Sequence, residues 1–210
     1  LIASAKKLIV LSLIVLLSVS LQAQSYEQQG VKQRYFPKGA FAQGKSDGDF
    51  VACWYSSQLQ AMKEPSLSTG RATDQAVTYR FTWLRTFHNP LVARFVLDVS
   101  GAGTLYVKMA DGAGGYQPGK VIVDSTFPLK PDEVQRILSL LNKMDFWHTP
   151  TELADGPGGC DGSQWILEGR DKSTYHVVDR WTPRSGPLRE LGLYLVFDIA
   201  KLDIPKRDIY

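Results

Sequence analysis

Histidine and cysteine are scarce in this chain, with three of the first and two of the second among 210 residues. That excludes a miniature scaffold stapled by several disulfides in place of a core. It also leaves no two histidines at metal-ligand spacing, since His88, His148 and His176 are scattered, so neither a metal site nor a cofactor is expected. An excess of charge of either sign is missing too. The sequence holds 24 basic and 21 acidic residues, and two of the basic ones, Lys6 and Lys7, belong to the leader described next. With no basic stripe interleaved with aromatics, nucleic acid is not an expected partner.

Long apolar runs are limited to one. Residues 1–23, LIASAKKLIVLSLIVLLSVSLQA, set Lys6 and Lys7 ahead of an uncharged stretch from Leu8 to about Leu21, followed by polar QAQS. Roughly 14 residues of helix reach roughly 21 Å, short of the ~30 Å hydrocarbon core, so the segment reads as a signal peptide cut after Ala23 and not as an anchor. The expected location is periplasmic or secreted, with no stable membrane span once the leader is removed. Residues 24–48, rich in Gln, Gly and Lys without periodicity, read as an extended or poorly ordered lead-in. Residues 49–210 are enough for one well-buried core and read as a single α+β domain.

In an oxidising compartment Cys53 and Cys160 are each other's only intrachain disulfide candidates. DFVACWYSSQLQAM has a helical stripe of Val51, Trp54, Tyr55, Leu59 and Met62, which leaves Cys53 about 200° from Val51 and off the packed face. An exposed thiol there is a liability that a disulfide removes. The competing reading, Cys160 as a nucleophile, lacks a neighbouring cation or helix N-terminus in ADGPGGCDG to lower its pKa.

Alternation then takes over. VTYRFTWLR places Val77, Tyr79, Phe81 and Trp83 on one face, LVARFVLDV repeats the pattern, and GTLYVKMA and KVIVDSTF follow, which predicts a four-stranded antiparallel meander with one packed and one wetter face. QWILEG and STYHVVDRW flank a charged turn at Arg170, Asp171 and Lys172, predicting a hairpin in which Trp165, Leu167, Tyr175 and Val177 share a face. PDEVQRILSLLNKMDFW begins with Pro131 and two acids that suit a helix N-terminus, and PLRELGLYLVFDIAKL aligns Leu188, Leu191, Leu195 and Ile199 behind Pro187. The expected architecture is therefore a meander plus a hairpin in one antiparallel sheet, with about three helices packed on one face.

Residues 39–46, GAFAQGKS, match the letters of a phosphate-binding loop. Such a loop works when a buried parallel strand delivers the chain to a turn whose N–H groups continue into a helix. Here the approach GVKQRYFPK is charged and broken by Pro37, while Asp47 and Asp49 would face the phosphates, so a Gly-rich linker ending at a helix cap is the better reading. GKSDG fits a nucleophile elbow by letters and fails on the same context. ADGAGG and ADGPGG lack the ligand spacing of a calcium loop and read as positive-φ turns; a looser calcium site at Asp155 and Asp161 has no support.

YHVVDRW, residues 175–181, is the most suggestive stretch. His176 and Asp179 look like a catalytic pair, yet three residues apart on a strand they point to opposite faces. His176 and Arg180 share a face, and Glu168 is expected diagonally across the hairpin from His176. His88 lies in RTFHNP beside Arg85, at a strand-end loop where binding residues often sit.

DGSQWILEGRDKSTYHVVDRWTPRSGPLRELG, with YRFTWLRTFHNP and ADGAGGYQPG, resembles a family of uncharacterised secreted bacterial proteins over roughly residues 50–200. The resemblance implies a shared fold and export, and it carries no activity. Two functions follow as expectations. One is a non-catalytic exported domain that binds a protein, peptide or envelope component through the less apolar sheet face, using Arg85, His88, His176 and Arg180. The other is an exported hydrolase with His176 or His88 as general base, for which no activated serine or cysteine is evident.

Overall fold

The computed structural model describes residues 30–41, 48–69, 77–154, 156, 159 and 161–210. Its centre is a six-stranded sheet of β1 (Val77–Arg85), β2 (Leu91–Leu97), β3 (Gly103–Ala110), β4 (Val121–Pro128), β5 (Ser163–Arg170) and β6 (Tyr175–Trp181). The spatial order is β4-β3-β2-β1-β5-β6 and every neighbouring pair is antiparallel. The meander and hairpin expected from the alternation are both present, joined where β5 pairs with β1 along Thr78↔Arg170 to Arg85↔Ser163. The fold is α+β.

The helices do not share one face. On the first face Tyr79, Phe81, Trp83, Trp165 and Leu167 pack against Val134, Ile137 and Leu141 of α2 (Pro131–Lys143) and Leu188 and Leu191 of α3 (Pro187–Leu193). The last helix changes to π-helical hydrogen bonding at Tyr194–Ile199, which still buries Leu195, Val196 and Ile199. Gly192 is the close-approach point of this layer: a Cβ there would lie 2.6 Å from Phe81 and 2.8 Å from Trp165.

On the second face Tyr55 and Leu59 of α1 (Gly48–Ala61), with Met62 just past its end, pack over Leu84, Val92, Ile166 and Val177. Residues 30–41, assigned to the lead-in by composition, have no regular structure but bury Tyr35, Phe36 and Phe41 against the same helix. Three aromatics in an otherwise polar stretch anchor it. Because that segment lies against α1, the helix is covered on more than its sheet-facing stripe, and Cys53 is fully buried instead of exposed as the helix-face argument required. Its candidate partner Cys160 lies outside the described residues, among which no disulfide is formed.

The face expected to be wet is buried and carries an ion network. Arg80 donates from Nε to Glu168 Oε2 at 2.7 Å and from Nη2 to Oε1 at 2.8 Å, and from Nη1 to the Pro65 carbonyl at 2.6 Å. Glu64, just past α1, accepts from Arg94 Nε at 2.8 Å and pairs with Lys108 at 3.2 Å. Tyr175 donates to Glu168 at 2.9 Å. Polar letters on four strands thus mark paired, buried charges and not solvent contact.

The hairpin register also differs from the expected one. Arg170 pairs with Tyr175, so the loop is 171–174, closed by the Asp171 carboxylate accepting from the Ser173 and Thr174 N–H groups. An odd shift in pairing flips the strand. Trp165 and Leu167 share their face with Arg180 and Val178, while Glu168 faces Val177 on the other side and is not a neighbour of His176.

No described strand leads into Gly39, and the all-antiparallel sheet has no βαβ crossover, so the phosphate-loop match has none of the required context; residues 42–47 lie outside the described ones. Among the described residues no helix is long and apolar enough to cross a membrane.

Candidate functional site

A cleft of about 900 Å3 runs along the outer edge of β6. Strand residues Val178 to Trp181 form its floor, Val51, Trp54 and Tyr55 of α1 one wall, and the start of α3 with the end of α2 the other. The loop after α2 makes the rim, at Thr149, Glu152 and Leu153. Its volume is at the upper end of small-molecule sites.

Asp179 is the chemically distinctive residue here. Only 8% exposed, it accepts a 2.7 Å hydrogen bond at Oδ2 from the Tyr55 hydroxyl, while buried Oδ1 has no hydrogen-bond partner among the described residues. Burial pushes its pKa up to about 7, and the nearby Glu152 carboxylate adds to the rise; the Tyr55 hydrogen bond and Arg180 oppose it. Tyr55, itself buried, is held well above the ordinary phenol range by burial first and by Asp179 second. Asp179 is therefore a carboxyl group able to accept or donate near neutral pH.

The four residues singled out in the sequence do not converge. His176 donates from Nε2 to the Thr149 carbonyl at 2.8 Å, which fixes its tautomer, and its ring meets Phe146 edge-on at 5.2 Å. Arg180 donates from Nη1 to the Thr151 carbonyl at 2.8 Å and from Nη2 to the Pro150 carbonyl at 2.9 Å. The Asp179 N–H adds a bond to Thr151 at 2.7 Å. Together these clamp the 149–151 loop onto the edge of β6. Arg180 lines the cleft; His176 does not.

Arg85 and His88 sit elsewhere, where the β1–β2 turn meets residues 208–210. His88 Nδ1 is 2.8 Å from the Tyr210 hydroxyl and Nε2 is 3.4 Å from Asp208. Arg85 stacks over Trp83 at 4.6 Å and donates to the Asn89 carbonyl at 3.0 Å. His148, the third histidine, pairs with Asp145 at an exposed helix end. No histidine lines the cleft.

The ADGAGG loop has a scaffolding part: the Gly114 carbonyl accepts from Trp54 Nε1 at 2.7 Å and from Gln58 at 3.2 Å, fixing the cleft-lining indole. Asp155 of the second loop lies outside the described residues. Among the described residues no group of three or more His, Cys, Asp or Glu is placed to hold a metal.

Asp179 and Tyr55 were not candidates from sequence. The strand argument correctly separated Asp179 from His176, whose partners Ile166 and Gly169 lie on opposite faces. It had no means of pairing Asp179 with a tyrosine 124 residues away, itself counted as core. The chain matches no protein-family model, and no protein of curated function matches it in sequence.

Proposed function

We propose that the chain is an exported, non-catalytic binding domain for a protein, peptide or envelope component, and that its ligand enters the cleft along β6. The observation that carries this reading is Asp179, a buried carboxyl group with one unpartnered oxygen at the floor of a cleft. A buried carboxyl group without its full set of partners costs stability, and a ligand in the cleft that bonds to this group recovers part of that loss. The sheet face first expected to bind is covered by α1 and by the chain through Glu64, so the ligand's place moves to the strand edge. Export rests on the apolar leader and its two lysines.

The hydrolase alternative draws no support from the cleft. Its histidine base would have to stand in a concave site beside a carboxylate, and the histidines lie outside this one.

The reading is tested by a thermal-shift screen of the purified protein against envelope-derived peptides, glycans and small metabolites. A ligand of the cleft raises the melting temperature of the wild type and not of Asp179→Asn. If no class shifts the wild type, or the variant responds equally, the cleft is not the binding site.

A further inference from the structure

Resting on that reading, the cleft also indicates what kind of ligand it takes. We propose that it is a saccharide subsite, in which a sugar ring lies against Trp181 and Trp54 and a ring hydroxyl bonds to the Asp179 carboxyl group.

Four observations converge on this chemistry. First, the indoles are held as fixed platforms. A Cβ at Gly159 or Gly162 would come within 2.7 or 2.6 Å of the Trp181 ring, so the backbone runs flush against it, and Trp54 is tethered through its N–H to Gly114. Rigid aromatic surfaces beside a few polar groups in a mostly apolar cleft suit a ligand with an apolar C–H face and polar edges.

Second, the charges lining the cleft have both signs, Asp179 and Glu152 against Lys143, Arg180 and Arg184, and two of the three cations are already engaged, Lys143 with Glu190 and Arg180 with the Thr151 and Pro150 carbonyls. A free amine would meet three cations and an anion would find most of them occupied; a neutral hydroxylated ligand meets neither obstacle. Third, Asp179 near neutrality both accepts and donates. A hydroxyl does the same, whereas an ammonium only donates and a carboxylate only accepts.

Fourth, the edge is closed to the main competitor. An extended peptide binds a strand edge by taking over its free backbone groups. Here the Asp179 N–H is bonded to Thr151, and Arg180 and His176 hold the same loop in place. Strand addition would require displacing that loop, while a ligand held by side chains does not.

The test is a glycan array probed with the labelled protein, followed by titration of the best array ligand monitored by tryptophan fluorescence. Asp179→Asn and Trp181→Ala are compared with wild type after circular dichroism confirms their folds, and Trp54→Phe serves if Trp181→Ala does not fold. The expected result is saturable binding by the wild type, weakened about tenfold or more in Trp181→Ala and in Asp179→Asn. An array with no bound glycan overturns the proposal, as does glycan binding that these variants leave unchanged. A parallel arm titrates a mixed tetrapeptide library and a diamine. Binding of either, lost in Asp179→Asn with no glycan bound, sinks the saccharide assignment and keeps the cleft as a binding site. No binding in any arm sinks both.

Discussion

The Tyr55 hydroxyl donates to Asp179 Oδ2 at 2.7 Å, tying α1 to the outermost strand of the hairpin and closing the floor of the cleft. The bond lies where burial holds a carboxyl group's pKa at about 7, beside Glu152 and Arg180. Below pH 4 Asp179 is protonated both folded and unfolded and contributes nothing to pH dependence. Between about 4 and 7 the unfolded chain releases this proton and the folded one keeps it, so Asp179 makes stability fall as pH rises, levelling above about 7. The cost reaches the order of a few kcal/mol at pH 8. Asp179→Asn is expected to remove it and to gain on the wild type from pH 5 to about pH 7, with the difference levelling above that, in urea melts. Equal pH dependence of the two proteins would refute the assignment.

Tyr55→Phe tests the same bond from the other side. The hydrogen bond lowers the Asp179 pKa, so its loss is expected to move the carboxyl midpoint above about 7. Carbon-detected NMR titration of the Asp179 carboxyl measures this, and an unchanged or lower midpoint would show that the hydroxyl does not stabilise the carboxylate.

Arg80 is the most consequential charge in the fold. Arg80→Met leaves Glu168 buried without its bidentate partner and is expected to cost about 3–5 kcal/mol, read from chemical denaturation. Adding Glu168→Leu removes the orphaned carboxylate and is expected to recover part of that loss. A double variant less stable than the single one would mean that the network contributes more than a pairwise neutralisation.

His176 and Arg180 act as clamps. The double variant His176→Ala, Arg180→Ala is expected to remain folded, to lose about 1–3 kcal/mol, and to speed hydrogen exchange in residues 149–154 more than in β1 or β5. Uniform acceleration would indicate a global role instead.

Gly192→Ala sets two opposing magnitudes against each other. Alanine in place of glycine inside a helix gains about 1 kcal/mol from propensity. The new Cβ, however, meets two fully buried rings that have no room to retreat, at a cost of about 1–3 kcal/mol. Net destabilisation is expected in thermal melts, and a gain in melting temperature would show that the layers separate freely.

Much of the sheet was legible because alternation of Tyr79, Phe81 and Trp83 against Arg80 and Thr82 has a period only a strand produces. What alternation does not encode is whether the polar side meets water or a second layer. Arg80 and Glu168 look alike in either setting, and the answer lay in Tyr35, Phe36 and Phe41, three aromatics within a stretch whose overall composition is polar. The hairpin register turned on whether the loop spans three residues, 170–172, or four, 171–174, a choice made by side-chain-to-backbone bonds that spacing alone does not fix. The candidate site was least legible. Its carboxyl group, its tyrosine and its tryptophans come from α1 and β6, and each has an ordinary packing role until the two elements are placed together.

The clamped 149–151 loop also bears on self-association. An antiparallel sheet has two margins from which it can grow, and here β6 is blocked at Asp179 by a piece of its own chain, while no described segment pairs with the outer side of β4. Two copies that zipped together along β4 would each present only the obstructed margin outward. Assembly by that route ends at a symmetric pair, and the plug on β6 is what denies the protein a path to endless fibres.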